Sequence, residues 1–299
     1  MNTEKAKQFI LKTARPVERA EFLYHFYNGP KEAVVEALRP YQNTDGGFGH
    51  GLEADNWNPA STPITTNTAL EILFRTGALE AAPDMLHAMA GYLRSSVDKE
   101  RGRWPFAIDS NKNHPHAVWW EKNGEEITGW NPTVSLAAFL VCMGEISFRD
   151  TVKKAFGELE QKKGGDELKC YILAYGLLQK YGIKDVIDLG SSRQSICSAV
   201  QEAVCKDVSK YGVEYVTTPS CFDRAFLPEI LLPQVQAELA LLDKLQKEDG
   251  GFDISWQWYT PYTEEFALAR VWWRPRVTME KLLFLQAWAP QPLYGACPQ

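Results

Sequence analysis

The loop at residues 42–57, which reads QNTDGGFGHGLEADNW, concentrates side chains that can exchange protons. His50, Glu53 and Asp55 lie within six positions, between glycines and just before Trp57. Carboxyl groups that are close to each other and to apolar walls acquire different pKa values, so one can keep a proton that the other has lost. We therefore predict a catalytic cluster of His50, Glu53 and Asp55, in which Glu53 or Asp55 is the essential acid and His50 tunes or reprotonates it.

The alternative role for these carboxylates is structural. A buried carboxylate can pair with an arginine instead of reacting. Three arginines of a second aromatic region, Arg270, Arg274 and Arg276, are candidates for such pairs. The sequence leaves both interpretations open.

Tryptophan is the second unusual feature of the chain, which holds ten, nine of them outside the predicted helices. Large apolar side chains are costly to leave in water, so tryptophans in loops should line or cover a binding site or pack as part of the core. For the tryptophans after residue 251, a purely structural plug is an open alternative. The predicted substrate-binding tryptophans are Trp57, Trp104, Trp119, Trp120, Trp130, Trp256, Trp258, Trp272 and Trp273.

Histidine and cysteine spacing does not predict a metal site. His114 and His116 are two positions apart, but they lack a third ligand at a fixed spacing. No zinc motif and no CxxC pair is present, and we expect reduced thiols. A cofactor cannot be assigned from the residues, although a diphosphate substrate would bring Mg²⁺. The six cysteines are Cys142, Cys170, Cys197, Cys205, Cys221 and Cys297.

Composition narrows the class of partner. The net charge is -6, which argues against nucleic acid and anionic membrane surfaces because both demand a basic face. The longest apolar run, VSLAAFLVCMG, is too short to cross a bilayer, and the first residues lack a signal-peptide core. We expect a cytoplasmic protein that binds a small molecule, and the sequence does not indicate its oligomeric state.

Helical periodicity dominates the chain and predicts an all-α fold. One stretch of alternation, YGVEYVTT at residues 211–218, is the only candidate strand. About twelve helices are predicted, near residues 3–14, 16–28, 30–42, 65–76, 82–96, 131–144, 148–161, 165–181, 190–207, 219–231, 233–246 and 276–288.

A loop type is repeated along the chain. DGGF occurs at residues 45–48 and 249–252, and GRWPF at 102–106 is a weaker copy. Each copy leads through a long aromatic and acidic loop to an apolar helix, such as PTVSLAAFL. Amphipathic outer helices alternating with such buried inner helices close most simply into one (α/α) toroid spanning residues 1–299. The long loops would then meet at one end and form a single site.

The repeats resemble those of the α/α-toroid proteins, which include squalene and other class II terpene cyclases and the β subunits of protein prenyltransferases. The resemblance rests on QNTDGGF at residues 42–48 and QKEDGGF at residues 246–252. The chain is also similar to small bacterial prenyltransferase-like proteins. It departs from the enzymes because it lacks the DxDD and DDxxD acid motifs and the Asp-Cys-His zinc set. The resemblance therefore implies the fold more than the reaction.

Three functions follow as expectations. The first is a terpene-cyclase-like enzyme, a lyase or isomerase, that protonates an apolar isoprenoid in an aromatic-lined central cavity, where cation–π attraction stabilises the cation. The second is a carbohydrate-active enzyme, either a glycosidase or a polysaccharide lyase, with tryptophans stacked on sugar rings. The third is a non-catalytic toroid that captures a lipid or peptide.

Overall fold

The computed structural model describes residues 1–122, 129–159 and 163–289, and Cys297 lies outside these ranges. Within them the chain is all-helical, as the sequence predicts, and no strand forms. No described helix is long and apolar enough to cross a bilayer. The eleven α-helices of these ranges are α1 Thr3–Thr13, α2 Pro16–Tyr27, α3 Lys31–Leu38, α4 Pro63–Arg75, α5 Pro83–Ser96, α6 Thr133–Cys142, α7 Arg149–Gly157, α8 Gly165–Lys180, α9 Leu189–Ala203, α10 Leu232–Leu245 and α11 Thr263–Trp288.

Local signals fix many of the helix starts. The Asn2 side chain accepts a hydrogen bond from the Lys5 amide at the start of α1, and Thr62 does the same for the Thr65 amide at the start of α4. Proline occupies the first turn of α2, α4, α5 and α10, where a missing N–H costs no helical hydrogen bond. These are the starts that sequence patterns locate well.

Packing follows chain order and also joins the two ends of the described chain. Helix α6 packs on α7 and α8, α8 on α9, and α2 on α3, while α1 lies along α11. Helix α6 is buried on nearly every side, which agrees with its apolar sequence. Helix α1 therefore completes its burial against α11, the last helix of the described residues.

One predicted helix does not form, a second starts earlier than predicted, and the candidate strand is absent. Residues 219–231 form three single 3₁₀ turns instead of one helix, because Pro228 in the interior of the predicted helix interrupts the backbone hydrogen-bond ladder. The helix predicted at 276–288 is the second half of α11, which continues through Pro275. The candidate strand at 211–218 has no sheet partner and is irregular.

The repeated glycine turns share one hydrogen-bond pattern. Gly46 and Gly250 have φ of 92° and 94°, which only glycine adopts easily. After each turn the aromatic residue is buried, and its amide donates to a threonine of the next inner segment. Phe48 donates to Thr66 at 3.1 Å, Phe252 to Thr278 at 2.9 Å and Trp104 to Thr133 at 3.2 Å. The three aromatics are therefore equivalent structural plugs.

Alanine at Gly46 or Gly250 should destabilise the chain more than alanine at Gly144. An alanine at positive φ is strained, so each of the three substitutions should lower the free energy of unfolding by about 1–3 kcal/mol. At Gly144 the new Cβ would touch nothing, whereas it would lie 2.0 Å from the Ala88 oxygen at Gly46 and 2.4 Å from the Lys5 oxygen at Gly250. In thermal unfolding, Gly144→Ala should therefore show the smallest decrease in melting temperature. Equal losses in all three variants would contradict a turn packed against its neighbouring helix.

Candidate functional site

The three aromatic loops, which are distant in sequence, meet at Asp55. The Asp55 carbonyl accepts a hydrogen bond from the Ala117 amide at 2.9 Å, which joins the first loop to the second. The Val118 amide donates to the Trp258 carbonyl at 3.0 Å and joins the second loop to the third. The Asp55 side chain then joins the first loop to the third directly. The predicted meeting of the three loops thus appears as hydrogen bonds among Asp55, the Ala117–Val118 segment before Trp119, and Trp258.

Two indole groups hold the Asp55 carboxylate. Trp258 donates to one oxygen at 2.5 Å and Trp256 to the other at 3.0 Å. Only 3% of Asp55 is exposed. The Trp273 indole nitrogen is buried without a hydrogen-bond partner, yet it lies close enough to lower the pKa of Asp55. The third loop therefore encloses this carboxylate in tryptophan donors.

Burial separates the pKa values of the two loop carboxyls. Desolvation and then the charge of Asp55 raise the pKa of Glu53, and with the opposing pull of Arg276 and Arg15 it lies at about 8. Desolvation raises the pKa of Asp55 only to about 6, because the three indoles favour its charged form. At neutral pH Glu53 keeps its proton and Asp55 is ionised. One loop thus offers a proton donor beside a fixed negative charge.

A narrow crevice lies beside these carboxyls, and its space for a sphere the size of a water molecule is about 0 Å³. The Trp57 and Trp272 rings stack at its edge with centroids 4.9 Å apart. Arg15 donates to the Gly51 carbonyl at 2.6 Å and so fixes the loop on the start of α2. The residues lining the crevice are Arg15, Glu18, Leu52, Ala54, Trp272, Trp273 and Arg276.

The arginines expected to neutralise Glu53 and Asp55 have other acidic partners. Arg270 forms an ion pair with Asp253, and Arg274 forms one with Asp249 at 2.8 Å. Arg276 bridges Glu71 and Glu280, at 3.4 and 3.2 Å. Of the three, Arg276 alone acts on Glu53, and it does so by charge.

His50 lies apart from the carboxyls that it was expected to tune. Its side chain is exposed, and its Nε2 is 2.8 Å from the Asn43 side-chain oxygen, on the glycine-turn side of the loop. The φ of His50 is 56°, in the left-handed region, and this backbone conformation places its side chain toward Asn43. His116 approaches the His114 carbonyl at 2.6 Å through Nδ1. Across the described ranges, no group of three or more His, Cys, Asp or Glu residues is placed to hold a metal ion.

The predicted tryptophans divide into three groups. Trp57, Trp256, Trp258, Trp272 and Trp273 surround the carboxyls, as the contacts above show. Trp119 and Trp120 belong to an adjoining apolar cluster with Trp258, in which Trp120 stacks on Phe106 at 4.8 Å. Trp104 and Trp130 lie elsewhere in the core.

The positions of Trp104 and Trp130 are explained by their partners. The Trp104 ring stacks on Phe148 at 5.4 Å, and its indole donates to the Leu93 carbonyl. The Trp130 indole donates to Glu158 at 2.8 Å. Sequence analysis missed Arg15 and Glu18, which precede the loop by more than twenty residues and carry no motif.

Comparison with known proteins does not identify a relative. No protein family, no curated protein and no solved structure matches this chain. The site therefore has to be interpreted from its own geometry.

Glu53→Gln should flatten the pH dependence of stability. The pKa of Glu53 is 4.5 as a free side chain and about 8 in the fold. Between these values the folded chain keeps a proton that the unfolded chain loses, so the free energy of unfolding falls as pH rises. Urea unfolding of the variant should lose the decline between about pH 6 and pH 8. The exposed Glu264→Gln is the control, and an unchanged decline in Glu53→Gln would contradict a raised pKa at the half-buried Glu53.

Proposed function

We propose that the chain is a carbohydrate-active enzyme in which Glu53 donates the proton that cleaves a glycosidic bond. The feature that supports this proposal is a pair of neighbouring carboxyls, Glu53 and Asp55, whose pKa values are raised to about 8 and about 6 beside a crevice lined in part by Trp272 and Trp273. Two carboxyls with separated pKa values are the usual equipment of glycoside hydrolysis. Aromatic faces suit the C–H faces of sugar rings.

Each carboxyl has a distinct role in this reaction. Glu53 transfers its proton to the glycosidic oxygen while the bond from that oxygen to the anomeric carbon breaks. The charge of Asp55, fixed by its indole donors, stabilises the positive charge that develops on the sugar. A water molecule then supplies hydroxide to the anomeric carbon and returns a proton to Glu53. Asp55 acts by charge because both of its oxygens already accept indole hydrogen bonds.

The charged lining favours sugar over an isoprenoid chain. Arg15, Glu18 and Arg276 all face the crevice, and an apolar chain would have to desolvate them without replacing their hydrogen bonds. Sugar hydroxyls can replace those bonds. A terpene-cyclase-like reaction remains the second candidate, because a protonated carboxyl among indoles could also protonate an alkene and stabilise the resulting cation.

We also propose that the helices form an (α/α) toroid. Three features support it: neighbouring helices pack in chain order, α1 packs on α11, and α11 also contacts α2. The repeated glycine turns each precede a buried helical segment, as such a ring requires. In this arrangement Glu53 stands at the end of the ring where the aromatic loops gather.

Glu53→Gln should abolish turnover while preserving the fold. Amide replaces carboxyl at equal size but holds no transferable proton, so the rate should fall by roughly two orders of magnitude or more. The assay uses a panel of aryl glycosides and polysaccharides. A parallel panel of isoprenoid alcohols and Mg²⁺-supplemented diphosphates tests the second candidate. Glu264→Gln is the matched control on an exposed carboxylate.

Asp55→Asn tests the role of the Asp55 charge separately from the acid role of Glu53. It should lower both turnover and the melting temperature, because Asp55 also clamps Trp256 and Trp258. Retention of full glycoside turnover in Glu53→Gln would refute the proposed role of Glu53. Turnover of isoprenoids alone would favour the second candidate.

A further inference from the structure

The crevice beside the two carboxyls is closed. Its space for a sphere the size of a water molecule is about 0 Å³, and only 3% of Asp55 is exposed. Glycoside cleavage requires an anomeric carbon beside both Glu53 and Asp55, because one supplies the proton and the other the stabilising charge. At least one side chain that lines the crevice must therefore move before a sugar ring can reach them.

The charged residues that line the crevice are held in place by ion pairs. Arg15 Nε lies 3.0 Å from a Glu18 carboxylate oxygen, and both side chains are largely buried. Arg276 pairs with Glu71 at 3.4 Å and with Glu280 at 3.2 Å. Breaking a buried ion pair leaves charges without partners, which is strongly destabilising. These side chains are therefore fixed walls of the crevice.

The first loop and Trp273 are fixed in other ways. Leu52 and Ala54 are each 3% exposed, and the Ala54 carbonyl accepts a hydrogen bond from the Trp57 indole at 2.9 Å. Trp273 packs edge-on against Trp256, with ring centroids 5.2 Å apart, and Trp256 is one of the two indole donors described above. Displacing these groups would break the contacts that hold the aromatic loops together.

Trp272 is the lining residue that lacks such an anchor. Its side chain is half-buried, its ring stacks on Trp57 with centroids 4.9 Å apart, and the Arg15 guanidinium lies 5.2 Å from its ring centroid. Within the described ranges its indole nitrogen makes no hydrogen bond. Ring contacts of this kind can be broken and remade without leaving a buried polar group unpaired. Trp272 is therefore the side chain that can leave the lining at the lowest cost.

The two stacked rings differ in how they are attached. The Trp57 indole donates to Ala54, so this ring moves only with its loop. Trp272 lies over Gly51, where a Cβ would be 3.6 Å from its ring. Because Gly51 is two residues before Glu53, the ring of Trp272 covers the loop segment that carries the proposed acid.

The preceding turn of α11 offers another position for the Trp272 ring. A long side chain on a helix lies over the turn before it in both of its common rotamers. Leu268, four residues before Trp272, is 43% exposed, and Val271 is 48% exposed. Side chains four residues apart are neighbours on a helix surface. A ring turned outward would therefore contact Leu268 and cover apolar surface that faces water in the closed form.

We propose that Trp272 is the gate of the crevice, a side chain that turns outward from Trp57 toward Leu268 and so admits the glycan. The inference rests on the proposed function, which requires room beside both carboxyls. Trp57 stays in place when the gate opens, and the face that Trp272 leaves becomes the surface on which a sugar ring stacks. Of the stacked pair, only Trp57 then contacts substrate.

The motion is measured by fluorine NMR on the full chain labelled with fluorotryptophan. Relaxation dispersion should detect exchange of the Trp272 signal on the microsecond-to-millisecond timescale of gating motions. The Trp57 signal should exchange at the same rate, because Trp57 loses its stacking partner. Trp288 is the matched control, since it lies on the same helix with the Arg224 guanidinium 4.3 Å from its ring centroid. Each signal is assigned with a tryptophan-to-phenylalanine variant.

Leu268→Ala tests where the ring goes. Loss of this apolar contact should lower the open population roughly twofold, the size of effect expected for one i,i+4 pair. The melting temperature should stay the same, because Leu268 is exposed in the closed form. Leu232→Ala is the matched control, since Leu232 is a 37% exposed leucine on α10. An unchanged open population in Leu268→Ala would contradict opening toward that residue.

Trp272→Ala tests the consequence for binding. It is combined with Glu53→Gln so that no probe is consumed, and calorimetry measures the affinity of neutral trisaccharides from cellulose, xylan, starch and chitin. A site that is open only in a minor state of about 10% or less binds at least about tenfold more weakly than an open one. Removal of the gate should therefore raise the affinity at least about tenfold, whereas Trp288→Ala should not change it. Trp272→Phe replaces the alanine variant if melting curves show that the latter is unfolded.

The outcomes separate the gate from the proposed function. Absence of exchange at Trp272, or a lower affinity in Trp272→Ala, would overturn the gate whether or not the chain cleaves glycosides. Exchange shared by Trp272 and Trp57, without binding of any sugar, would uphold the gate and refute carbohydrate as the ligand. Glycoside turnover that depends on Glu53, without exchange at Trp272, would do the reverse.

Discussion

The hydrogen bonds from Trp256 and Trp258 to Asp55 are the interaction on which the site depends. An ionised carboxylate that is 3% exposed is tolerated only when donors replace the water it has lost. Here two indoles of a loop some two hundred residues away supply those donors. The same carboxylate then raises the pKa of Glu53. Desolvation is the larger cause of the raised pKa of Glu53 and the charge of Asp55 adds to it, so the held carboxylate contributes both to loop closure and to that pKa.

The repeated turns show which parts of the structure a sequence can reveal. DGGF could be interpreted from the sequence because its interactions are local. In both copies the aspartate accepts a hydrogen bond from the amide of the second glycine. The amide of the aromatic residue donates to a threonine of the next helix. The all-helical class followed from periodicity. The meeting of the loops followed from the repeated order of turn, loop and buried helix.

The parts that sequence patterns missed depend on contacts between distant segments. Helix α11 passes through Pro275, a recognised helix breaker, because this segment is buried and packs against α1. His50 shared the loop of Glu53, yet a positive φ directs it to Asn43. Trp104 resembled a ligand contact, but it fills the place that Phe48 and Phe252 fill in the other copies. Proximity in sequence did not determine which way these side chains point.

The charged groups beside Glu53 require a reason other than stability. Replacing a buried ion pair with well-packed apolar side chains is often neutral or stabilising, since desolvation offsets much of the attraction. Glu21 nevertheless lies buried against Arg75, and Glu71 contacts both Arg75 and Arg276. This chain of ion pairs leads from α2 across α4 to α11 and ends beside the crevice. We propose that the reason is a polar ligand, whose hydroxyl groups would hydrogen-bond to Arg276 where an apolar ligand would only desolvate it.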